Sequence, residues 1–432
     1  MRRALLIILL TALASPAIAQ DKDDQRERED AIFGETAAPF RTPPPPKEDP
    51  LEIGGMLYMR FDAAFTDSLD IADHALAAPT LLDVYLDARP NDRLRAFARG
   101  RLRWDPTVTE GDTDWEGNAV ETVDTLLDEL WLKFDLGRTV FVTLGQAHVR
   151  WGATRIWNPV DVINTQRKVP LTPFDERTGI PQLKLHLPIE SLGWNLMAIA
   201  LLDEADSFDD IGAALRAEIV FSTVELGLTG ALRRDVDPKA GVDLSAGVGD
   251  VDVGAEFGIR FGDDSSHWAA SASLEYALPI LDNDSLILGA EYFHQPDGFD
   301  SLEDAVLLGL ESLAEADESA SYEIPQPFYT GKHYGALFMM LPGPGNWDHT
   351  NFTLSTIGNL SDLSFLTRLD VSTRALTWLT VQTYVQGHYG NMGELRPGRD
   401  AFGEAASTVE SFGVDLSRVP VAELGLYLRM AL

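Results

Sequence analysis

The chain has 432 residues, a formal net charge of −34 and no cysteine. Without cysteine it has neither a disulfide framework nor a thiolate metal site. The acidic balance argues against a nucleic-acid partner, which requires basic patches. Apolar residues make up 45% of the chain and the mean hydropathy is −0.07. That is too polar for a helical membrane protein, but it suits strands with one apolar face.

Residues 1–19 predict a secretory signal peptide. Arg2 and Arg3 supply a positive start, and the apolar stretch 4–14 is too short to cross a bilayer. Ala17–Ala19 provides a small-residue cleavage site, so the mature chain would begin near Gln20. The sequence therefore predicts an exported protein.

Residues 20–50 differ from the rest of the chain. Asp21–Asp30 is densely charged, and Pro43–Pro46 is a run of four prolines. Low hydrophobicity combined with a proline run predicts a disordered, acidic and proline-rich periplasmic arm. The domain prediction is thus a signal peptide, this arm, and a transmembrane β-barrel over residues 51–432.

The barrel prediction is centred on residues 93–104, where two kinds of side chain alternate. One parity is almost wholly basic and the other is small or apolar. The basic parity comprises Arg93, Arg95, Arg99, Arg101 and Arg103, with Phe97 among them. A strand sends successive side chains to opposite faces. A wall with lipid on one side and a wet lumen on the other accepts both faces, and this pattern is typical of transmembrane barrels.

The neighbouring segments place acids beside this arginine row. Asp83 and Asp87 precede it on the lumen parity, and Glu129 and Lys133 follow it. Opposite charges on cross-strand neighbours stabilise strand pairing. These residues are therefore predicted to line the pore. Their charges either form salt bridges within the wall or attract anions, and both roles can hold together.

Eighteen segments fit this alternation, with sixteen as the alternative. The predicted strands are 51–63, 80–89, 93–104, 125–135, 139–150, 181–188, 193–203, 211–221, 223–233, 240–248, 250–261, 266–277, 285–294, 332–341, 350–360, 364–373, 377–388 and 420–432. Every second connection is short and rich in Gly, Pro, Asn or Asp, as tight turns require. The long connections 105–124, 151–180, 295–331 and 389–419 all fall on the other side. The fold class is an all-β, antiparallel, up-and-down barrel with short periplasmic turns and long outer loops.

The signal peptide, the alternating strands and the amphipathic last strand resemble a Gram-negative outer-membrane barrel of porin type. Such proteins usually end in phenylalanine, whereas this chain ends in Leu432. Gly145-Gln146, Arg150–Gly152 and Asn158–Asp161 also resemble a segment of alginate-export-like and related porin-like barrels. The resemblance implies contact with outer-membrane lipid, lipopolysaccharide and the barrel-assembly machinery.

The connection 151–180 is the third outward loop. General porins fold their third loop into the lumen, and this one resembles it in position and length. The loop and the residue before it carry the candidate constriction residues Arg150, Trp151, Arg155, Asn158, Asp161, Arg167 and Lys168. Charges of both signs at close quarters select ions. The alternative is a plain lid over the barrel mouth.

The remaining sequence features favour transport over catalysis. Residues 301–314 predict a short helix in an outer loop, started by a Ser301/Asp304 cap. The sequence contains no H-E-x-x-H or G-x-S-x-G motif, so no catalytic residue, metal site or cofactor is predicted. A barrel of 16–18 strands leaves an aqueous channel.

We therefore expect a passive channel for small hydrophilic solutes. Anion preference follows from the arginine row, whereas the net charge favours cations. The alternatives are a structural or adhesive barrel acting through its outer loops, and a lipid-handling barrel. Oligomeric state is left open.

Overall fold

The computed structural model describes residues 50–432 except 69, 72–73, 110–121, 165, 173–175, 204, 235, 263–264, 282–283, 316–326, 412–415 and 417–418. The predicted signal peptide and residues 20–49 of the predicted arm lie outside the described residues. Residues 49–168 and 177–432 form one compact unit, which holds every strand described below. In a second unit, Thr172 Oγ1 donates a hydrogen bond to Val169 O at 2.9 Å.

The described residues contain nineteen strands. They are β1 (Leu51–Phe65), β2 (Ala75–Ala77), β3 (Thr80–Asn91), β4 (Leu94–Trp104), β5 (Val123–Leu136), β6 (Val140–Ala147), β7 (Ile180–Ile189), β8 (Trp194–Leu201), β9 (Gly212–Phe221), β10 (Val224–Arg233), β11 (Val236–Val248), β12 (Val251–Phe261), β13 (Ser266–Leu281), β14 (Asp284–His294), β15 (His333–Pro342), β16 (Thr350–Asn359), β17 (Ser364–Leu376), β18 (Leu379–Gly390) and β19 (Ala422–Ala431).

Eighteen of these strands close into an antiparallel barrel. From β3 to β19 each strand pairs with the next, and β1 pairs with both β3 and β19. The short β2 pairs with β1 beside the outer end of β3. The predicted up-and-down barrel of eighteen strands is confirmed, and β2 is an addition that the sequence pattern did not indicate.

The wall has an apolar outer face and a polar inner face, as the alternation predicted. On β3, Val84 and Leu86 are each 44% exposed, whereas Asp83 and Asp87 are each 5% exposed. The apolar residues of the alternation therefore point outward, and the charged residues point into the barrel, where they are buried. This polarity is the reverse of that of a water-soluble barrel.

The strand ends agree with the predicted ends to within a few residues. One difference bears on the site: β6 stops at Ala147 rather than at residue 150. Gln182 Nε2 donates to the Ala147 carbonyl at 2.9 Å, so a side chain takes the acceptor where the strand ends. His148, Arg150 and Trp151 therefore begin the loop.

The predicted helix in the outer loop is confirmed as α1 (Leu302–Glu315). The Ser301 hydroxyl accepts from the Asp304 N–H at 3.1 Å, which is the predicted cap. A second helix, α2 (Ala406–Ser411), follows a 3-10 segment, Arg399–Ala405. The helices among the described residues are all too short or too polar to span a bilayer.

Candidate functional site

The arginine row on β4 is closely paired with carboxylates on both neighbouring strands. Arg95 Nε lies 2.9 Å from Asp87 Oδ1, and Arg93 Nε lies 2.8 Å from Asp135 Oδ2. Each guanidinium uses two donors on its acid, which is the strong bidentate arrangement. The salt bridges expected between this row and its neighbours are present.

Arg101 is the most enclosed member of the row. Its side chain is 1% exposed and contacts Asp83 at 2.9 Å on β3 and Asp128 at 3.1 Å on β5. Arg99 lies 3.5 Å from Asp128 and 3.4 Å from Glu129. Arg103 stands opposite Asp124 in the strand register near the loop end of β4.

A β-bulge produces this double acid contact. The pairing of β4 with β5 slips between Arg99 and Gly100, so Asp128 is an extra residue on β5. Leu127 and Leu130, which flank the pair Asp128–Glu129, are 46% and 52% exposed, whereas Asp128 is fully buried. The bulge thus turns two consecutive acids, Asp128 and Glu129, inward.

His148 completes a group of potential metal ligands with Asp128 and Glu129. Its Nε2 lies 2.8 Å from Asp128 Oδ1. Arg99 and Arg101 contact the same carboxylates, and two guanidiniums beside them oppose a bound cation electrostatically. This arrangement is better suited to an ion-pair network than to a metal site.

Two lysines extend the basic surface beyond the arginine row. The strand registers pair Arg95 with Lys133, Lys133 with Thr143, and Thr143 with Lys184, which forms one lumen-facing row across β4–β7. Within the described part of the chain, neither Lys133 nor Lys184 has an ion-pair partner. Lys133 Nζ instead lies 5.8 Å from the Phe141 ring centroid. These ammonium groups are therefore less directly compensated than the arginines of β4.

The loop after β6 packs against the inner face of the opposite wall. Glu256 on β12 accepts hydrogen bonds from the N–H groups of Ala153 and Thr154, at 2.6 and 2.7 Å, and from Thr154 Oγ1 at 2.7 Å. Asn158 Nδ2 donates to the same carboxylate at 3.1 Å. One buried acid therefore binds the loop's first turn.

A second buried acid, Glu291 on β14, binds the next turn. It accepts from three successive N–H groups, those of Arg155, Ile156 and Trp157, at 2.8–3.1 Å. The Arg155 guanidinium pairs with Glu275 on β13 at 2.7 Å. Consecutive backbone donors converging on one carboxylate fix the loop's path.

Trp157 anchors the middle of the loop. It is fully buried, stacks on Phe293 at 5.7 Å and packs against Tyr334 at 5.6 Å. Its Nε1 donates to Phe328 O at 3.0 Å, and the Tyr334 hydroxyl donates to Glu394. A third buried acid thus connects the later outer loops to the same aromatic cluster.

The other predicted loop residues lie along the same segment. Trp151 is 4% exposed, with the Arg216 guanidinium 5.7 Å from its ring centroid. Arg167 lies 4.5 Å from the Tyr329 ring centroid, and the Lys168 carbonyl accepts from the Tyr329 hydroxyl at 3.3 Å. Arg150 is exposed.

Asp161 is held deep in the loop. Asn164 Nδ2 donates to both of its carboxylate oxygens at 2.8 Å, and Arg177 lies 3.7 Å away. Burial raises the pKa of Asp161 to about 6, against an ordinary value of 3.8. Burial also raises the pKa of Glu394. Both acids lie in connections between strands.

The structure separates the two predicted groups of site residues. The arginine row is on β4, whereas Arg155 contacts β13, nine strands away in either direction around the ring of eighteen. Four further residues contribute to these groups without being predicted from the sequence as site residues: Glu256, Glu291, Glu394 and Lys184. Glu256 and Lys184 do fall on the charged parity of their strands, but only tertiary contacts distinguish them from other charged residues of the wall.

No family model matches the chain, and no curated protein matches its sequence. Solved structures do match its fold over nearly its whole length. A BenF-like porin from Pseudomonas fluorescens Pf-5 aligns with a TM-score of 0.54 and 12% identity over 89% of this chain and 99% of the porin.

Two further matches agree with this one. OccAB4 of Acinetobacter baumannii gives a TM-score of 0.53 at 10% identity, over 90% of this chain and all of its own. OpdK of Pseudomonas aeruginosa, solved with vanillate, gives 0.52 at 12% identity, over 88% of this chain and 98% of its own. The chain therefore has the fold of porin-type outer-membrane β-barrels.

Proposed function

We propose that this protein is a porin-like channel of the Gram-negative outer membrane, through which small hydrophilic solutes diffuse passively, with a preference for anions. Residues 1–19 would direct export, and residues 20–50 would form an arm in the periplasm. The apolar outer face would contact lipid and lipopolysaccharide, and the barrel-assembly machinery would insert the chain. The function needs no catalytic step, cofactor or metal.

Two groups of residues on opposite sides of the barrel, the arginine row of β4 and the loop after β6, define the shape of the passage. The loop around Arg155 and Trp157 packs on β12–β15, whereas the arginine row lies across the ring on β4. A solute would pass between them, with the loop as the constriction. Buried acids hold the loop in place, so the narrowing would exist before any solute arrives.

The observation that carries the anion preference is the row Arg95–Lys133–Lys184. The arginines of β4 are largely neutralised by their partner acids, whereas neither lysine has a carboxylate within ion-pair distance among the described residues. An ammonium group without a salt bridge attracts an anion, and water in the lumen weakens the attraction enough for release. OpdK, which has a similar fold, was solved with vanillate, and this supports the passage of a small organic solute through the present barrel.

The test is single-channel conductance of the refolded mature protein in a planar bilayer under a KCl gradient. The wild type should show discrete steps and a reversal potential of the anion-selective sign. A unit charge about 7 Å away attracts an anion and repels a cation by roughly 0.6 kcal/mol each in water, so removing one should lower the anion-to-cation permeability ratio about seven- to eightfold.

The variants are Lys133→Gln and Lys184→Gln, alone and together. Lys332→Gln serves as the matched control, since its ammonium pairs with Asp300 in an outer loop. A folded barrel without conductance would refute the channel. Cation selectivity that is insensitive to both lysines would refute the anion preference while leaving the channel intact.

A further inference from the structure

Three glycines lie on the inner face of β11 and β12, beneath the loop after β6. On β12, Gly254 and Gly258 flank Glu256 at alternate positions. Phe257 is 40% exposed and Glu256 is 3% exposed, so the glycines and Glu256 face the lumen. On β11, Gly241 pairs directly with Gly258 and shares its face. The wall therefore carries no side chain on either side of the Glu256 carboxylate.

The loop backbone fills the space that two of these glycines leave. A Cβ on Gly258 would lie 2.8 Å from the Pro159 carbonyl carbon and nearer still to its oxygen. A Cβ on Gly254 would lie 2.9 Å from the Ala153 carbonyl oxygen. Separations under 3.0 Å are essentially never seen for a real Cβ atom. With any other residue at either position, the loop could not keep its present depth against the wall.

Gly241 accommodates a side chain of the loop instead of its backbone. A Cβ on Gly241 would lie 2.7 Å from Val160 Cγ1 and 2.9 Å from the Thr229 hydroxyl oxygen. Val160 is fully buried, so its isopropyl group has no open space into which it could move. Shortening the side chain of Val160 would relieve this contact, whereas no side-chain change relieves the two backbone contacts.

Glu256 binds the same stretch of the loop from between the glycines. Its carboxylate accepts from the Ala153 N–H at 2.6 Å and from the Val160 N–H at 3.3 Å, so it holds both ends of the stretch. Hydrogen bonds weaken steeply with distance, and these form only if the loop lies directly on the wall. The carboxylate supplies the attraction, and the bare glycine positions supply the room for it to act.

We propose that Gly241, Gly254 and Gly258 set the width of the constriction and thereby the size limit for solutes. This inference rests on the proposed channel function. Carbon atoms pack at roughly 3.5–4.0 Å, so a methyl group on Gly258 would push the loop about 1 Å into the lumen. The passage would become narrower, and the largest permeating anions would be excluded first.

The experiment records currents of the refolded full-length mature protein in planar bilayers, with chloride and gluconate as the small and the large probe anion. Reversal potentials with KCl on one side and potassium gluconate on the other give their relative permeability. Gly258→Ala should lower the KCl conductance about 1.5-fold or more and the gluconate permeability by a larger factor, because a narrower pore obstructs the larger ion more. Gly254→Ala should act in the same direction.

Gly100→Ala on β4 is the matched control, because a Cβ there would have no atom within 4 Å. It should leave the conductance and the relative permeability unchanged. Gly241→Ala should narrow the passage, and adding Val160→Ala to the same chain should largely restore it. A general loss of stability would not be reversed by a second truncation in the core of the loop.

Heat-modifiable electrophoresis shows whether each variant is folded. If Gly258→Ala does not fold, Gly241→Ala with and without Val160→Ala decides the question. Folded glycine variants with the conductance and relative permeability of the wild type would overturn the proposal while leaving the channel intact. A wild type without conductance would instead refute the channel itself.

Discussion

Arg101 shows what a single buried charge does in this wall. Its guanidinium lies between Asp83 and Asp128, and all three side chains are at most 7% exposed. Removing one member of such a group leaves the others charged without compensation, which costs more than the ion pair itself contributes. The group is therefore a structural element of the inner wall.

We expect Arg101→Met to lower the free energy of unfolding by about 3–5 kcal/mol. Urea unfolding in lipid vesicles, followed by tryptophan fluorescence, measures this change. Arg93→Met is the control, since Arg93 is half exposed and pairs with Asp135 near a turn, where solvent screens the pair. Equal destabilisation by the two variants would contradict the burial argument.

Gly145 is a position at which the backbone geometry requires glycine. It belongs to the segment, Gly145-Gln146 and the residues after it, that resembles porin-like barrels. Its φ is +122°, and a Cβ there would lie 2.1 Å from the Leu130 carbonyl oxygen. Only glycine allows β6 to approach β5 so closely. Part of the matched motif is thus explained by backbone geometry rather than by solute binding.

At the scale of elements, the loop after β6 is anchored to the inner wall at two successive turns. Glu256 and Glu291 hold its backbone, and Trp157 fills the aromatic cluster behind it. The inner wall thus supplies the carboxylates that satisfy backbone N–H groups of this loop.

Asp161 makes this loop sensitive to pH. Its pKa of about 6 lies above the ordinary value of 3.8, so the folded state takes up a proton as pH falls through 6 while the unfolded state does not. The folded state therefore gains stability from this group between pH 6 and 4. Protonation also removes one negative charge beside Arg177 and Arg150.

We expect the wild-type channel to become more anion-selective as the pH is lowered from 7.5 to 5, because Asp161 then loses its negative charge. Asp161→Asn should already show the low-pH selectivity at pH 7.5 and should change little on acidification. Reversal potentials across this range measure the effect. A wild type and variant that respond identically would show that other groups control the pH dependence.

At the scale of the whole molecule, the barrel depends on the seam between its first and last strands. β1 pairs with β19 from Met56/Ala431 to Phe65/Ala422. On the inner face of the seam, Tyr427 packs between Tyr58 and Tyr384, at 5.6 and 5.3 Å. Closure leaves no unpaired edge, which a barrel in lipid requires.

We expect deletion of residues 422–432 to abolish folding, because β1 and β18 would each expose a row of unsatisfied backbone groups. Heat-modifiable electrophoresis after refolding into vesicles measures this. Leu432→Phe, which keeps every backbone pair of the seam, should refold like the wild type. A truncated chain that still gives a folded band would show that the seam can close without β19.

The sequence by itself determined the barrel. Alternation with a period of two is a local property, and the eighteen barrel strands carry it, so their polarity and the arginine row with its acids could be predicted from the residues alone. The short β2 has no such pattern and was not predicted. The α1 cap, Ser301 with Asp304, is local in the same way. Secondary structure, and the side of the wall to which each side chain points, are determined by residues close in the chain.

Only the tertiary structure decided where the loop lies and which charges remain uncompensated. Glu256 and Glu291 are separated from their loop partners by about a hundred residues or more, and their charged parity alone does not predict what they bind. Lys184 follows the same alternation as the paired arginines, and only the three-dimensional structure shows that, among the described residues, no carboxylate lies within ion-pair distance of it. Burial, bulges and cross-ring contacts depend on barrel closure, which no local pattern encodes.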